Sequence, residues 1–496
     1  MDTYRIGSGA GYAGDRIDPA QALAEHGKLN ALVFECLAER TIALAQLRRL
    51  QDPEHGYDPL LQDRLRAVLP ACVRHGTTVI TNMGAANPAA AGQAALAVAR
   101  ELGLPKLKVG VVTGDDVLDW VRLHDVPLMD TQDLAADRQH RSTHQHPAHQ
   151  ATDPASGHAS GHTSGHASGQ TSGPTSGQTS AHASDFGDRL ISANAYLGAD
   201  ALLPALAAGA QLIISGRVAD PALFLAPLMH HFGWLAGDWQ RMGQGILVGH
   251  LLECAAQVSG GYIADPGHFD VPGLADLGFP LAEVNADGSA VITKLPGTGG
   301  RVDRLTCTAQ LLYEIEDPAR YLQPDVVANF SQVQLHDLGA DRVRVNGASG
   351  SARPAQLKAT LGYRDGFIGE GQISYAGPGA VARGQLALQL LQQRLQRLGW
   401  QGLEQRAELM GVSAMHGSDL ARQSGRDEPY EVRLRLALRC ATRAQAERVG
   451  QEVEALYLNG PAAGGGVTQS VREVIAAASA LIPRAAVRPA LQMLES

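Results

Sequence analysis

Short apolar runs alternate with amphipathic stretches over the first 260 residues. The run ALVF (31–34) precedes ERTIALAQLRRL, TVIT (78–81) precedes AAAGQAALAVARE, and LIIS (212–215) precedes ADPALFLAPLMHHF. Runs that are apolar at every position, each followed by a helical pattern, are typical of parallel strands in a sheet covered on both faces. We therefore predict that residues 1–260 form an α/β unit with a parallel, doubly wound sheet. A (β/α) barrel is the alternative that the pattern leaves open.

The pattern changes after residue 260. In EVNADGSAVITK (283–294), NADG lies between two alternating segments, which is typical of a β-hairpin. Further alternating segments follow in DRVRVNG and EGQISYAG, a helical stretch covers 380–398, and EVRLRLALRC precedes the helical pattern ATRAQAERVGQEVEALY. We predict that residues 261–496 form a second, α+β part of the molecule.

Residues 140–184 interrupt the first part with low-complexity sequence. They include ASGHASGHTSGHASGQTSGPTSGQTSAHAS, a four-residue repeat, and they hold eight of the 18 histidines. The few apolar side chains here cannot offset the entropy lost on ordering, so we predict a disordered insert in a surface loop. A metal-sequestering tract is the alternative.

Composition narrows the class of protein. The chain has 496 residues, 45% of them hydrophobic, and a formal net charge of −9, so it offers no clustered basic face for nucleic acid. No apolar run is long enough to cross a membrane, and MDTYRIGSG does not begin a secretory signal. Five dispersed cysteines without CxxC spacing are typical of reduced thiols, so we expect a cytoplasmic protein without a membrane or nucleic-acid partner.

Polar side chains follow four of the apolar runs. In parallel sheets ligands bind beyond the carboxyl ends of the strands, so these residues are candidates for one shared site. Each also has a structural alternative, since a carboxylate at a helix start can act as a cap and an arginine can belong to a buried ion pair. The candidates are Glu35, Glu39 and Arg40, Asn82 and Asn87, Asp115 and Asp116, and Arg217 and Asp220.

Two glycine-rich stretches are candidate anion sites. GSGAGYAGD contains Gly7, Gly9, Gly11 and Asp15, but it does not match the GxGxxG or P-loop patterns, and its glycines can instead serve a tight turn. KLPGTGGRVDRLT opens a helical run, where backbone N–H groups could bind phosphate or carboxylate. Its candidates are Gly297, Gly299, Gly300 and Arg301.

Longer phrases of the sequence, taken in order, resemble the acyclic terpene utilisation protein AtuA family. They include RIGSGAGYAGDRIDPA, LVFECLAERTIA, ITNMGAANP, SGRVADPAL and LLYEIEDPARYLQPDVVANF. The resemblance runs from residue 5 to about residue 480 and is interrupted only by the insert.

The resemblance implies a pathway context. Founding members of the family are encoded with the catabolism of citronellol and geraniol, in which the acids are handled as CoA thioesters, while the reaction of the family itself is unassigned. Many relatives carry a small ferredoxin-like domain after the shared region. We expect that domain to be missing here or to be supplied by a separate partner chain.

Two functions follow from these features. The first is an enzyme of the hydratase or lyase type acting on an acyl-CoA or related carboxylate, with Glu35, Asp115 or Asp116 as general acid or base. The anion-binding turns, Arg217 and Arg301 would hold the substrate. No organic cofactor motif is present; Mg²⁺ held by Glu35, Asp115 and Asp220 is a variant.

The second function is a non-catalytic subunit that binds CoA thioesters or assembles a catabolic enzyme complex. It uses the same anion turns but requires nothing of the carboxylates. We favour the enzyme, because ionisable groups collect at so many strand ends. A homo-oligomer is the default expectation for a protein of this kind.

Overall fold

The computed structural model describes residues 3–129, 181–417 and 428–496. The predicted insert, residues 140–184, falls almost wholly outside the described residues. Five parallel strands form the centre of the largest sheet, in the order β1-β2-β3-β6-β4. They are β1 (Tyr4–Ala10), β2 (Ala31–Phe34), β3 (Thr78–Thr81), β4 (Lys108–Thr113) and β6 (Leu212–Ser215), while β5 (Leu190–Ala195) belongs to a second sheet.

Helices connect these strands, as the alternating pattern predicts. Most begin or end with ordinary signals: Asn87 caps α4 from its side chain, and Gly76 ends α3 in the left-handed conformation. The helices of this part are α1 (Asp18–His26), α2 (Glu39–Gln51), α3 (Leu61–His75), α4 (Pro88–Glu101), α5 (Leu118–His124), α6 (Leu203–Ala207), α7 (Asp220–Phe232) and α8 (Trp239–Glu253).

Antiparallel strands extend the sheet on both sides to ten strands. On the β1 side the order continues through β7, β8, β12 and β11, and on the other side β18 pairs with β4. The α/β class is confirmed, but a parallel sheet holds only for the five central strands. The barrel alternative is wrong, because the described sheet is open. The added strands are β7 (Pro280–Val284), β8 (Ala290–Lys294), β11 (Gln334–Gly339), β12 (Arg342–Asn346) and β18 (Ala490–Glu495).

A second sheet has the strand order β15-β16-β14-β17. Its elements follow one another as strand, helix, two strands, helix and strand, which is the split βαβ arrangement of ferredoxin-like units. The family resemblance implies such a unit only as an added domain or a separate chain, whereas this one lies within residues 356–483. Its elements are β14 (Gln356–Ala376), α9 (Ala380–Arg397), β15 (Gln405–Met410), β16 (Glu431–Cys440), α10 (Arg443–Glu454), α11 (Leu456–Asn459) and β17 (Gly464–Pro483).

Strand β14 of the second sheet is long enough to pair with different strands along its length. The first half of β14 pairs with β5, and its second half pairs with β16, while β17 follows it along nearly its whole length. Glycines let a helix pack closely on the second half, because a Cβ on Gly369 would lie 2.1 Å from the carbonyl oxygen of Ala446 in α10. The pairing of β5 with β14 places residues from both sheets beside the carboxyl ends of the parallel strands.

The remaining elements cover the α8 side of the large sheet. They are a helix, Arg304–Leu312, here α12, and a three-stranded sheet of β9 (Tyr321–Leu322), β10 (Val327–Asn329) and β13 (Ser349–Ser351). Among the described residues, no helix has the length and apolarity that a membrane span requires.

Candidate functional site

The carboxyl ends of the five parallel strands lie at one edge of the large sheet, as parallel pairing requires. Glu35 follows β2, Asn82 follows β3, Asp115 lies just beyond β4, and Arg217 follows β6. The sequence therefore correctly predicts that these strand ends share an edge. Contacts between the side chains decide which residues form a cluster there.

Arg217 contacts groups from several elements at this edge. Its side chain is buried, and its Nη1 donates to the carbonyl oxygen of Leu37 and, at 2.8 Å, to Oδ1 of Asp220. The guanidinium carbon lies 4.1 Å from the centroid of the Tyr196 ring, within cation–π distance. This geometry is that of a buried ion pair, the second of the two interpretations open from the sequence.

Glu39 joins this cluster from the first turn of α2. It accepts hydrogen bonds from the Tyr196 hydroxyl and, at 3.2 Å, from Nζ of Lys358, which also lies 5.1 Å from the centre of the Tyr196 ring. Burial raises the pKa of Glu39, but the Arg217 charge and the bond from Tyr196 outweigh it and lower the pKa to about 2. Glu39 is therefore an ionised anchor.

Glu35 is held by Asn82 and by the backbone. Nδ2 of Asn82 donates to Oε1 of Glu35 at 3.0 Å, the backbone N–H of Leu37 donates to the same oxygen at 2.8 Å, and Oδ1 of Asn82 accepts from the N–H of Cys36. Burial and the nearby Asp220 charge raise the pKa of Glu35 to about 8 against the opposing charge of Arg217. At neutral pH this carboxyl group carries a proton.

Two more carboxyl groups lie beyond Arg217. Asp220 begins α7, and 32% of its side chain is exposed, so this group faces solvent. Glu253 ends α8 and is buried, with its Oε1 2.8 Å from Nδ1 of His250. Burial raises the pKa of both carboxyl groups, and the Asp220 charge raises that of Glu253 further. Glu253 lies behind this group, and we call the following residues the strand-end cluster: Glu35, Glu39, Asn82, Tyr196, Arg217, Asp220 and Lys358.

Asp115 and Asp116 have structural contacts instead of a shared acid–base arrangement with Glu35. Oδ2 of buried Asp115 accepts from Nδ2 of Asn194 and from the backbone N–H of Arg217, both at 2.9 Å, so it fixes β5 and the Arg217 loop. Burial raises its pKa to about 6. Asp116 is largely exposed and accepts from the N–H of Leu118 at the start of α5. Asp116 thus contacts the start of α5 from the residue before the N-cap, Val117, which has no side-chain cap.

The opening glycines are used for packing. Gly7 and Gly9 lie within β1, where a Cβ on either would lie 2.7 Å from side-chain atoms of Leu29 or Phe34. A Cβ on Gly11 would lie 2.4 Å from the carbonyl carbon of Cys254, so only glycine allows the turn to approach the end of α8. The predicted ligand loop is thus shorter than residues 7–14, because the strand continues to residue 10.

The turn that follows β1 is held from within the protein. Asp15 accepts from the backbone N–H groups of Gly11 and Arg16, each at 2.9 Å. Buried Arg64 of α3 donates to the carbonyl oxygens of Tyr12, Ala13 and Asp15 and lies 3.5 Å from Asp58.

Two other strand-end candidates lie outside the strand-end cluster. Asn87 caps α4 through Oδ1 and donates from Nδ2 to the carbonyl oxygens of Pro53 and His55. Arg40 is exposed in the first turn of α2.

The second glycine-rich turn does not offer free donors to an anion. The backbone N–H groups of Gly299, Gly300 and Arg301 donate to carbonyl oxygens elsewhere in the protein, while Gly297 supplies a positive φ of 83°. Asp303 caps α12 and also pairs with Arg301, which stacks 4.7 Å from the Phe269 ring. The protein's own carboxylate thus occupies the position predicted for a ligand, and we do not propose an anion site there.

The acidic residues of the cluster outnumber its basic ones, Arg217 and Lys358. Even so, the described part of the chain contains no group of three or more His, Cys, Asp or Glu side chains arranged to hold a metal ion. The arrangement therefore does not fit the Mg²⁺ variant, in which Glu35, Asp115 and Asp220 were the ligands, because Asp115 is engaged by Asn194 and Arg217.

Two members of the cluster were not predicted from the sequence. Tyr196 directly follows the apolar run LISANA of β5, so the same strand-end rule could have found it. Lys358 could not be found in this way, because it lies within a strand of the other sheet. The same holds for the neighbouring Glu253, which lies outside the cluster at the end of a helix.

The fold and the cluster define an open α/β protein with an acid–base constellation at the carboxyl edge of its parallel strands. The model of the acyclic terpene utilisation protein AtuA family matches residues 4–493, nearly the whole chain, and the chain belongs to that family. Neither the curated proteins nor the solved structures contain a match.

Proposed function

We propose that this protein is an enzyme of acyclic terpene or branched-chain acid catabolism that catalyses a hydration or elimination step on an acyl-CoA or related carboxylate. Family membership supports the pathway context. The reaction type is supported by the strand-end cluster, in which one protonated carboxyl group, Glu35, and one solvent-facing carboxyl group, Asp220, both lie under the influence of the Arg217 charge.

Glu35 is the observation that carries the proposal. It is a buried carboxyl group, oriented by Asn82 and the backbone, whose pKa of about 8 keeps a transferable proton available at neutral pH. A general acid works best when its pKa lies near the working pH. Perturbed carboxyl groups that differ in environment are also a pattern of acid–base pairs.

In the hydration direction, Glu35 donates its proton to a carbon of the substrate double bond. Asp220 takes a proton from the attacking water, so that a C–O bond and a C–H bond form while the π bond breaks. The site is left with Glu35 ionised and Asp220 protonated, and exchange with solvent restores both. Arg217 holds Asp220 in place at 2.8 Å. Elimination is the reverse of these steps.

The experiment is turnover of α,β-unsaturated branched acyl-CoA thioesters in D₂O, followed by mass spectrometry. We expect incorporation of deuterium and water with the wild-type protein and a loss of about 10²–10⁴-fold with Glu35→Gln, the usual contribution of a general acid. Glu452→Gln is the control, because Glu452 is equally buried but pairs with Arg448 in α10.

Binding of a CoA thioester without turnover would contradict the proposal. If Glu35→Gln also binds the thioester unchanged and the protein supports the pathway in both forms, the protein is a non-catalytic binding subunit instead. Thermal stabilisation by the same thioesters detects binding independently of turnover.

A further inference from the structure

Glu253 and His250 form a buried pair beneath the strand-end cluster. They lie one turn apart on α8, with Oε1 of Glu253 2.8 Å from Nδ1 of His250, and their side chains are only 9% and 1% exposed. Nε2 of Gln310, in α12, donates to the carbonyl oxygen of His250 at 2.9 Å and fixes the helix at this point.

One polar atom of the pair, Oε2 of Glu253, has no hydrogen-bond partner within the described residues. This oxygen is buried, while the His250 imidazole lies against the backbone of Gln310 and Leu311. The rings of Tyr321 and Phe330 pack beside the imidazole at centroid distances of 5.6 and 6.0 Å. Buried polar atoms are nearly always paired, so exceptions call for an explanation such as a functional role. Packing alone would be served better by apolar side chains.

Charged groups from three elements face Glu253. They are Asp220 of α7, Arg217 before it, and Glu314 after α12; the nearby Cys254 and Tyr321 also titrate, and their pKa values are raised. Burial, Asp220 and Glu314 raise the pKa of Glu253 well above its usual range, against the opposing charge of Arg217. Burial lowers the pKa of His250 to about 4. Both shifts favour uncharged side chains at neutral pH.

We infer that Glu253 is a carboxylic acid that donates its proton from Oε1 to Nδ1 of His250, and that this neutral pair positions the charge of the neighbouring Asp220. A neutral Glu253 lets Asp220 remain a carboxylate beside Arg217, whereas an ionised Glu253 would favour a proton on Asp220. The positioning role rests on the proposed function, in which Asp220 acts as the base. The proton state of the Glu253–His250 pair is independent of the proposed function.

The proton state can be tested without a substrate. Folded Glu253 binds its proton more tightly than the unfolded chain does, so wild-type stability falls as the pH rises above about 4.5, the ordinary pKa. Gln keeps the shape of Glu, can donate to Nδ1 and cannot ionise. We therefore expect the urea midpoint of Glu253→Gln to rise relative to wild type between pH 5 and 8.

If the urea midpoint of Glu253→Gln instead falls relative to wild type as the pH rises, the inference is overturned, because this would indicate an ionised Glu253 paired with an imidazolium. Glu452→Gln serves as the control for the loss of a buried carboxyl group in another part of the molecule. His250→Gln adds a second measurement. The pKa of folded His250 is depressed, so wild type should lose stability as the pH falls below about 6.5. The variant has no imidazole to protonate and should not show this loss.

The positioning role is tested in the D₂O turnover assay. Since Gln mimics the neutral acid, Glu253→Gln should retain turnover within about threefold, whereas Glu253→Ala should lose more than about tenfold and shift the pH profile. A loss with Glu253→Gln as large as that with Glu35→Gln would overturn the positioning role. If wild type turns over no thioester, the proposed function fails, while the stability measurements still decide the proton state of the pair.

Discussion

A carboxyl group buried at the end of a strand makes stability depend on pH. Glu35 has a pKa of about 8 in the folded protein and about 4.5 when unfolded. Because the folded pKa is the higher one, the stabilising contribution is present below pH 4.5 and is lost as the pH rises through 8. We therefore expect Glu35→Gln to match wild type near pH 4 and to exceed its stability by about 4 kcal/mol at pH 8.

Urea unfolding at the two pH values measures this difference directly. The glutamine Oε1 can still accept from Asn82 and from the backbone of Leu37, so the hydrogen bonds of the native carboxyl group are kept. If the stability difference between Glu35→Gln and wild type does not change with pH, then ionisation of buried Glu35 does not explain it. A variant that is more stable but inactive is the expected trade-off at a functional site.

The buried positive charge of Arg217 balances the negative charges of Asp220 and Glu39 in the cluster. Replacing it by Met keeps much of the volume but leaves Asp220 and Glu39 without their buried cation, and we expect a loss of about 3–5 kcal/mol in the free energy of unfolding. Arg353→Met is the control, since Arg353 pairs with Asp200 at the surface and its loss should cost at most about 1 kcal/mol. Comparable losses from both variants would contradict a central role for Arg217.

At the residue scale, the sequence predicts the members of the site that immediately follow an apolar run. Glu35, Asn82 and Arg217 are found in this way, since a strand end fixes where the next side chain lies. Lys358 is not, because it reaches Glu39 across 319 positions of sequence, through the pairing of β14 with β5. Local patterns contain no information about such a contact.

At the scale of elements, close approaches decide where glycine is required. Gly11→Ala would place a Cβ 2.4 Å from the carbonyl carbon of Cys254, so the turn after β1 must move away from the end of α8. Neither group is the tip of a flexible side chain, and we expect a loss of about 1–3 kcal/mol, typical of overpacking. Gly237→Ala is the matched control, as its Cβ would meet nothing within 4 Å.

Thermal or urea unfolding of both variants measures the effect. Equal stability of Gly11→Ala and wild type would mean that the turn tolerates displacement from α8. Because Glu253 ends the same helix, we also expect Gly11→Ala to weaken thioester binding more than Gly237→Ala does.

The glycine spacing alone could not distinguish packing from ligand binding. Both uses require a backbone without a Cβ, and only the tertiary neighbours differ: Phe34 beside Gly9, and Cys254 beside Gly11. The same holds for the turn at Gly299, where Asp303 takes the position expected for an external anion. A glycine-rich turn at a helix start is a ready anion site only if the chain leaves its donors free.

At the scale of the whole molecule, pairing between distant segments determines the architecture. The alternating pattern of the first 260 residues correctly predicts four of the five parallel strands, β2, β3, β4 and β6. It did not predict β1, whose residues the glycine spacing places in a loop, and it could not predict that β7 and β8 would extend the same sheet or that β18 would pair with β4. Antiparallel edge strands of a mixed sheet have the same local alternation as strands of a separate unit, so sequence periodicity does not assign them to a sheet.

The low-complexity insert leaves and re-enters the fold at neighbouring positions. The N–H of Leu128 donates to the carbonyl oxygen of Ala181 at 3.0 Å, and Pro127 forms a bridge with His182. A short link can therefore join these ends without strain. We expect the fold to be preserved when residues 131–179 are replaced by six Gly/Ser residues. The loop becomes about eightfold shorter, which is three doublings of length, so the free energy of unfolding should rise by at most about 2 kcal/mol.

Urea unfolding of the shortened chain tests this expectation, with a full-length variant in which every histidine of 140–179 is replaced by Ser as the control. Loop entropy depends on length and not on histidine, so the control should match wild type while the shortened chain becomes more stable. A large loss of stability on shortening would show that the insert contributes packing. Loss in both variants would instead indicate a specific role for its histidines, and the metal-sequestering alternative would then become the better interpretation of the repeat.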